Sequence, residues 1–233
     1  MPDSEEPTVD RGKVLRLFAG LSRHAAQRGV RIDLFLVGGG AMVLAYNTAR
    51  TTSDIEGIFE PKALAYELAA EVVSEVDFPV REDWLNDAVK VFPFPRGQID
   101  EKARIYYDDA GLTVRVASPR YLFMMKAWSA RESDEDDLKV LWPLCNWQNT
   151  EEALNELEAS YPRAMLKPAT RYMVEGIAEQ AQKSWPSACT GQRSLQPDTE
   201  HQQAEGTGAV WVQPHTRGDH PVRGYWRRAP LSS

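Results

Sequence analysis

The 233-residue chain has little of what a membrane or secreted protein needs. Its longest nearly uncharged apolar stretch, residues 34–46, is about 13 residues and holds three consecutive glycines, short of the ~20 that a spanning helix requires. Residues 1–10 contain Asp3, Glu5 and Glu6 and no basic segment followed by an apolar block, which argues against a signal or transit peptide. Cysteine is scarce: Cys145 and Cys189 stand far apart and match neither a disulfide framework nor a zinc-ligand spacing. Positive charge is short as well, with 27 Lys and Arg against 34 Asp and Glu and a net charge of −7. A protein coated in nucleic acid is thereby disfavoured, and any polynucleotide must meet a local basic patch. The expected setting is cytoplasmic, without a membrane partner.

What is present suffices for a core, since 42% of residues are apolar, and one or two globular domains fit the length. Apolar residues at helical spacing from Thr8 to Gly29, with Asp10 in the first turn, predict an amphipathic helix. Ile32 to Val37 reads as a strand, Gly38 to Gly40 as a turn, Ala41 to Tyr46 as a helix and Asp54 to Phe59 as a second strand. Pro61 at a first helical position opens a helix to about Glu75. Ile105–Tyr107 and Leu112–Val116 predict a hairpin. Ser118 as N-cap and Pro119 at N1 start a helix to about Ala130. Further helices are expected over Asp134–Leu141, Thr150–Ser160 and Pro168–Gln182. After Trp185 the composition turns polar until Ala209 and reads as a flexible linker. Beyond it a basic, aromatic tail runs from Val210 to Arg228 and suggests a small hairpin. Residues 186–233 hold five Arg and no Lys against four acidic residues.

The chemistry concentrates in Val37-Gly38-Gly39-Gly40-Ala41-Met42 and, downstream, Arg50-Thr51-Thr52-Ser53-Asp54-Ile55-Glu56. In a strand, residues i and i+2 share a face, so Asp54 and Glu56 set two hard oxygen ligands side by side while Ile55 faces the core. Like charges that close repel unless a cation sits between them, and magnesium shared with substrate phosphates suits the pair. The glycines let backbone N–H groups approach phosphate at a helix start.

These residues resemble the nucleotidyltransferase superfamily. Trp84 to Lys90, Leu112 to Ser118, Met125-Lys126, Arg131 and Asp134 to Leu138 extend the likeness toward a bacterial branch related to AbiEii and MenT-type toxins, over roughly residues 9–145. The resemblance implies an α/β (α+β) fold, a small mixed sheet with surrounding helices and a helical C-terminal half. The expected division is a nucleotidyltransferase core over 1–117, a helical half over 118–184 and a linker and tail over 185–233. Carried over, Gly38 and Gly39 hold the triphosphate and Asp54 and Glu56 bind Mg²⁺ or Mn²⁺. Lys126 contacts phosphate, and Asp137 completes the acidic site or accepts a proton. Arg50, Thr52 and Ser53 either contact the nucleotide or shape the loop. The second carboxylate is Glu rather than the commoner Asp, one methylene longer, and which of Asp134, Asp136 and Asp137 acts is left open.

The implied activity is metal-dependent transfer of a nucleoside monophosphate from an NTP to the 3′ end of tRNA, as a toxin with a cognate antitoxin. The motif fixes the donor and not the acceptor, so a protein or small-molecule hydroxyl is an alternative. A silent nucleotide- or RNA-binding module is another. Plainer readings stand beside these: the glycines as an ordinary turn, Lys126 as a snorkelling surface lysine, Trp84 and Trp128 as core. Arg163, Lys167 and Arg171 would form a basic stripe only if a helix ran through Pro168.

Overall fold

The computed structural model describes residues 6–91, 93–162 and 165–184, with the strand residues 209–212, 215–217, 220–222 and 225–228. Helix α1 (Arg11–Gln27) begins where extended Asp10 accepts a hydrogen bond from Lys13 N at 2.9 Å, satisfying an orphan donor of the first turn. Val14, Leu17, Phe18, Leu21 and Ala25 fall on one face and are fully buried, as the helical period requires.

Strand β1 (Ile32–Leu36) is the middle of a five-stranded mixed sheet. On one side it pairs antiparallel with β2 (Ile55–Glu60), whose outer neighbour, the short parallel β3 (Leu85–Asn86), sets Glu56 opposite Asn86. On the other side it pairs parallel with β5 (Leu112–Val116), which forms the expected hairpin with the edge strand β4 (Arg104–Asp109). Ile32, Leu34, Leu36, Val114 and Val116 are all buried. The α/β architecture with a mixed sheet is therefore as the sequence implied.

Several local expectations are corrected. Gly38 to Gly40 is not a free turn but the opening of the short helix α2 (Gly38–Ala41), continued by a π-turn over Met42–Tyr46. Burial of Ala41, Met42, Val43 and Leu44 makes a packed helical turn the better solution. Pro61 is the N-cap of α3 (Lys62–Val73) rather than its first residue. Ser118 precedes α4 (Pro119–Ser129) without a side-chain cap; its backbone N–H donates instead to Asp100 Oδ2 at 2.6 Å. Helix α5 (Glu135–Cys145) starts one residue late and runs past Pro143, because Leu138, Leu141 and Cys145 continue its buried face.

Helix α6 (Thr150–Ser160) matches its expected span, with Asn149 Oδ1 accepting from Glu152 N at 2.9 Å. Helix α7 (Pro168–Ser184) begins at Pro168, so Lys167 precedes it and no single helix carries a basic stripe. Arg171 pairs with Glu158 at 3.1 Å, and Arg163 lies outside the described residues. Helices α4 to α7 pack on one another and form the helical half.

The chain divides into two compact units, Met1–Pro186 and Ser187–Ser233. In the second, β6 (Ala209–Val212) pairs antiparallel with β9 (Tyr225–Arg228) and β7 (His215–Arg217) with β8 (His220–Val222), one hairpin nested in another. The linker expected over 186–208 lies outside the described residues, as does Cys189. Cys145 is a free, buried thiol. No helix among the described residues is long and apolar enough to cross a membrane.

Candidate active site

A cavity of about 230 Å³ opens where β1 meets α2, floored by Gly38 and Gly39 and walled by Arg50, Thr52, Ser53, Asp54, Glu56, Lys126, Arg131 and Asp134. Asp54 ends the loop before β2, and Glu56 is the second residue of that strand. The i, i+2 spacing thus delivers both carboxylates to one face, with Ile55 fully buried between them. Asn86 Nδ2 donates to Asp54 Oδ2 at 2.9 Å, and Thr52 Oγ1 donates to the Asp54 carbonyl at 3.0 Å. Burial pushes the Glu56 carboxyl above the ordinary range, the Asp54 charge pushes it further, and Arg131 and Lys126 oppose them. Desolvation and a like charge both disfavour the ionised form.

The glycines are required by what packs against them. A Cβ at Gly38 would come within 2.7 Å of Glu56 Oε2, and one at Gly39 within 2.6 Å of Thr52 Oγ1. Gly38 also adopts φ +62°, the left-handed region that glycine enters without cost.

Behind this floor the charges alternate. Lys126, 7% exposed, pairs with Asp134 and, at 2.8 Å, with Asp137; Asp137, 1% exposed, also pairs with Arg50. Lys126 is therefore not a surface lysine. Helix α4 ends at Ala130, in the left-handed conformation, and the following loop brings Asp134 back over Lys126. Asp137 sits behind the cavity, holding two of its cations, whereas Asp134 lines it and Asp136 is exposed and pairs with Lys139 at 3.2 Å.

Gly38, Gly39, Arg50, Thr52, Ser53, Asp54, Glu56 and Lys126 converge here, with Asp137 behind them. Sequence reasoning missed the roles of Asn86 and of Trp128. Register explains the first, since Asn86 faces Glu56 across β2 and β3. Trp84 is core as expected, buried with its indole N–H on the Ala69 carbonyl at 3.0 Å. Trp128 is half-buried, packs against the core as expected and also lines the cavity.

Four carboxylates, Asp54, Glu56, Asp134 and Asp137, thus face three cations, Arg50, Lys126 and Arg131. Among the described residues no group of three or more His, Cys, Asp and Glu converges as a ready-made metal cage. Two carboxylates with a residual negative charge fit a divalent cation that completes its shell with water and phosphate oxygens, which is how magnesium is usually held.

A mixed sheet carrying a glycine-floored cavity and a paired Asp and Glu is the arrangement that the nucleotidyltransferase resemblance implied. The chain belongs to the family described as nucleotidyltransferase of unknown function (DUF6036), whose model matches residues 13–168. No curated protein and no solved structure matches it.

Proposed function

We propose that this enzyme moves a nucleoside monophosphate from an NTP to the 3′ end of tRNA, in the manner of the AbiEii and MenT-type toxins that its motifs resemble, with a cognate antitoxin as partner. The observation that carries the donor half is the Asp54 and Glu56 pair set against Gly38 in one cavity with Lys126 and Arg131. The triphosphate lies along Gly38 and Gly39, its charge met by Lys126, Arg131 and Arg50. Asp54 and Glu56 would hold Mg²⁺ or Mn²⁺, which supplies charge neutralisation at the α-phosphate and at the leaving pyrophosphate. Thr52 holds the Asp54 backbone and Ser53 shapes the rim. The acceptor oxygen attacks the α-phosphorus, the bond to the β-phosphate oxygen breaks, and the hydroxyl proton passes to Asp134, the member of the acidic run that lines the cavity. Asp137 keeps Arg50 and Lys126 in place. The expected setting is the cytoplasm.

Incubation of the full chain with α-labelled NTPs, Mg²⁺, total RNA and a cell extract tests the acceptor. Label on tRNA is the expected outcome. Label on protein or on small molecules replaces tRNA with another hydroxyl, and no label on any of them contradicts the transfer reading.

A further inference from the structure

A second cavity, of about 540 Å³, adjoins the acidic one and shares Pro93 and Trp128 with it. Its other walls include Phe94, Gly97, Tyr161 and Pro162, with Arg96 as its one charged side chain and no carboxylate. Trp128, in the last turn of α4, stacks on Tyr161 at the end of α6, with ring centroids 4.2 Å apart and planes 17° apart. Among the tryptophans, Trp84 and Trp147 are tied into the body by their indole N–H groups, to the Ala69 carbonyl at 3.0 Å and to Glu156 at 2.8 Å. Trp128 instead forms the common wall of two cavities. The Tyr161 hydroxyl is buried and has no hydrogen-bond partner among the described residues.

We propose that this apolar cavity is a nucleobase site with Trp128 as its stacking surface. The inference rests on the nucleotidyl-transfer reading and assigns a place to the part of the nucleotide that the acidic cavity cannot hold well. A nucleotide is divided in the same way as the two cavities, polyanionic at one end and planar with apolar faces and polar edges at the other. Base stacking on an aromatic ring is tolerant of base identity and adds affinity without charge. The ring belongs either to the donor NTP or to the terminal nucleotide of an RNA acceptor; both present a heteroaromatic base on a phosphorylated ribose.

Binding to the full chain, measured with Mg²⁺ for ATP, GTP, CTP and UTP, for inorganic tripolyphosphate and for a single-stranded RNA with a free 3′ hydroxyl, tests the site and separates the sources. Trp128→Leu should weaken either the NTPs or the RNA by about 5- to 100-fold and leave tripolyphosphate unchanged, and Trp128→Phe should recover most of the loss. Loss for the NTPs assigns the cavity to the donor base; loss for RNA alone assigns it to the acceptor. Ala159→Trp, placed at an exposed position on the cavity wall, should reproduce the selective loss without touching α4 and decides the matter alone if Trp128→Leu does not fold. Folded variants that bind every probe as wild type does, or that lose tripolyphosphate equally, overturn the proposal while leaving the transfer reading intact. Wild-type protein that binds neither NTP nor tripolyphosphate overturns the transfer reading itself.

Discussion

The Glu56 carboxylate occupies the space that a side chain on residue 38 would need: a Cβ at Gly38 would stand 2.7 Å from Glu56 Oε2. Gly38→Ala should therefore displace Glu56 and also place alanine at φ +62°, which costs about 1–2 kcal/mol. Transfer activity should fall at least tenfold, with Tm lower by about 2–8 °C. Full activity in the variant would show that the Gly38 contact does not position Glu56.

Asp54→Ala and Glu56→Ala should abolish transfer, since each removes half of the paired carboxylates. Stability should move the other way for Glu56. Its charge is held in a partly buried site beside Asp54, so Glu56→Gln should raise Tm in metal-free buffer at pH 7.5 while losing activity. A thermal scan with and without Mg²⁺ checks this: wild type should gain stability from the ion and Glu56→Gln should gain less.

Lys126→Ala should hurt both function and folding. It leaves Asp137 and Asp134 without a shared cation in a buried place, and breaking a buried pair typically costs about 3–5 kcal/mol. The expected Tm loss is roughly 6–20 °C, with partial rescue by Lys126→Arg. An unchanged Tm would contradict the buried ion-pair chain.

Asp87 supplies an acid-side dependence. It accepts from Lys62 at 2.7 Å, Lys90 at 2.9 Å and Tyr66 Oη at 2.5 Å, and these partners hold its carboxyl well below the usual range, the Lys62 bond most of all. Its folded pKa is depressed, so its contribution is present above the ordinary Asp pKa and is lost as pH falls from there toward the depressed value. Asp87→Asn should cost roughly 1 kcal/mol at pH 7, about 2–4 °C, and the gap to wild type should shrink in melts between about pH 4 and pH 2.

Truncation after Ser184 should leave the first compact unit folded, since it ends at Pro186. NTP binding should survive. If the arginines of the tail grip RNA, the truncated protein should bind it more weakly and with a salt slope shallower by about 0.7 per lost phosphate contact. An unchanged slope would assign RNA binding to the body alone.

Much of this site was legible because it is local. The i, i+2 placement of Asp54 and Glu56, the glycines six residues beyond the start of β1, and the helix opened by Pro119 all follow from short-range geometry. What was hidden depends on distant partners. Asp137 was singled out through the resemblance, but its ion pairs were not readable, since Arg50 and Lys126 reach it from 87 and 11 residues away. A helical count could have shown its burial, since Asp137, Leu141 and Cys145 recur at i, i+4 and i+8 and share the buried face of α5. Trp128 stacks on Tyr161, 33 residues on, a contact that no local pattern encodes. Gly38 to Gly40 looked like a turn because glycine favours turns; burial of the residues after it made it a helix start.

The most direct test of the Asp54 and Glu56 assignment compares ATP, GTP, CTP and UTP labelled at the α-phosphate with the same nucleotides labelled at the γ-phosphate, each with Mg²⁺ and total RNA. Wild-type protein should place α-label and no γ-label on the acceptor and release labelled pyrophosphate, and folded Asp54→Ala and Glu56→Ala should do neither. Transfer of γ-label, or wild-type α-label transfer by either variant, would contradict it.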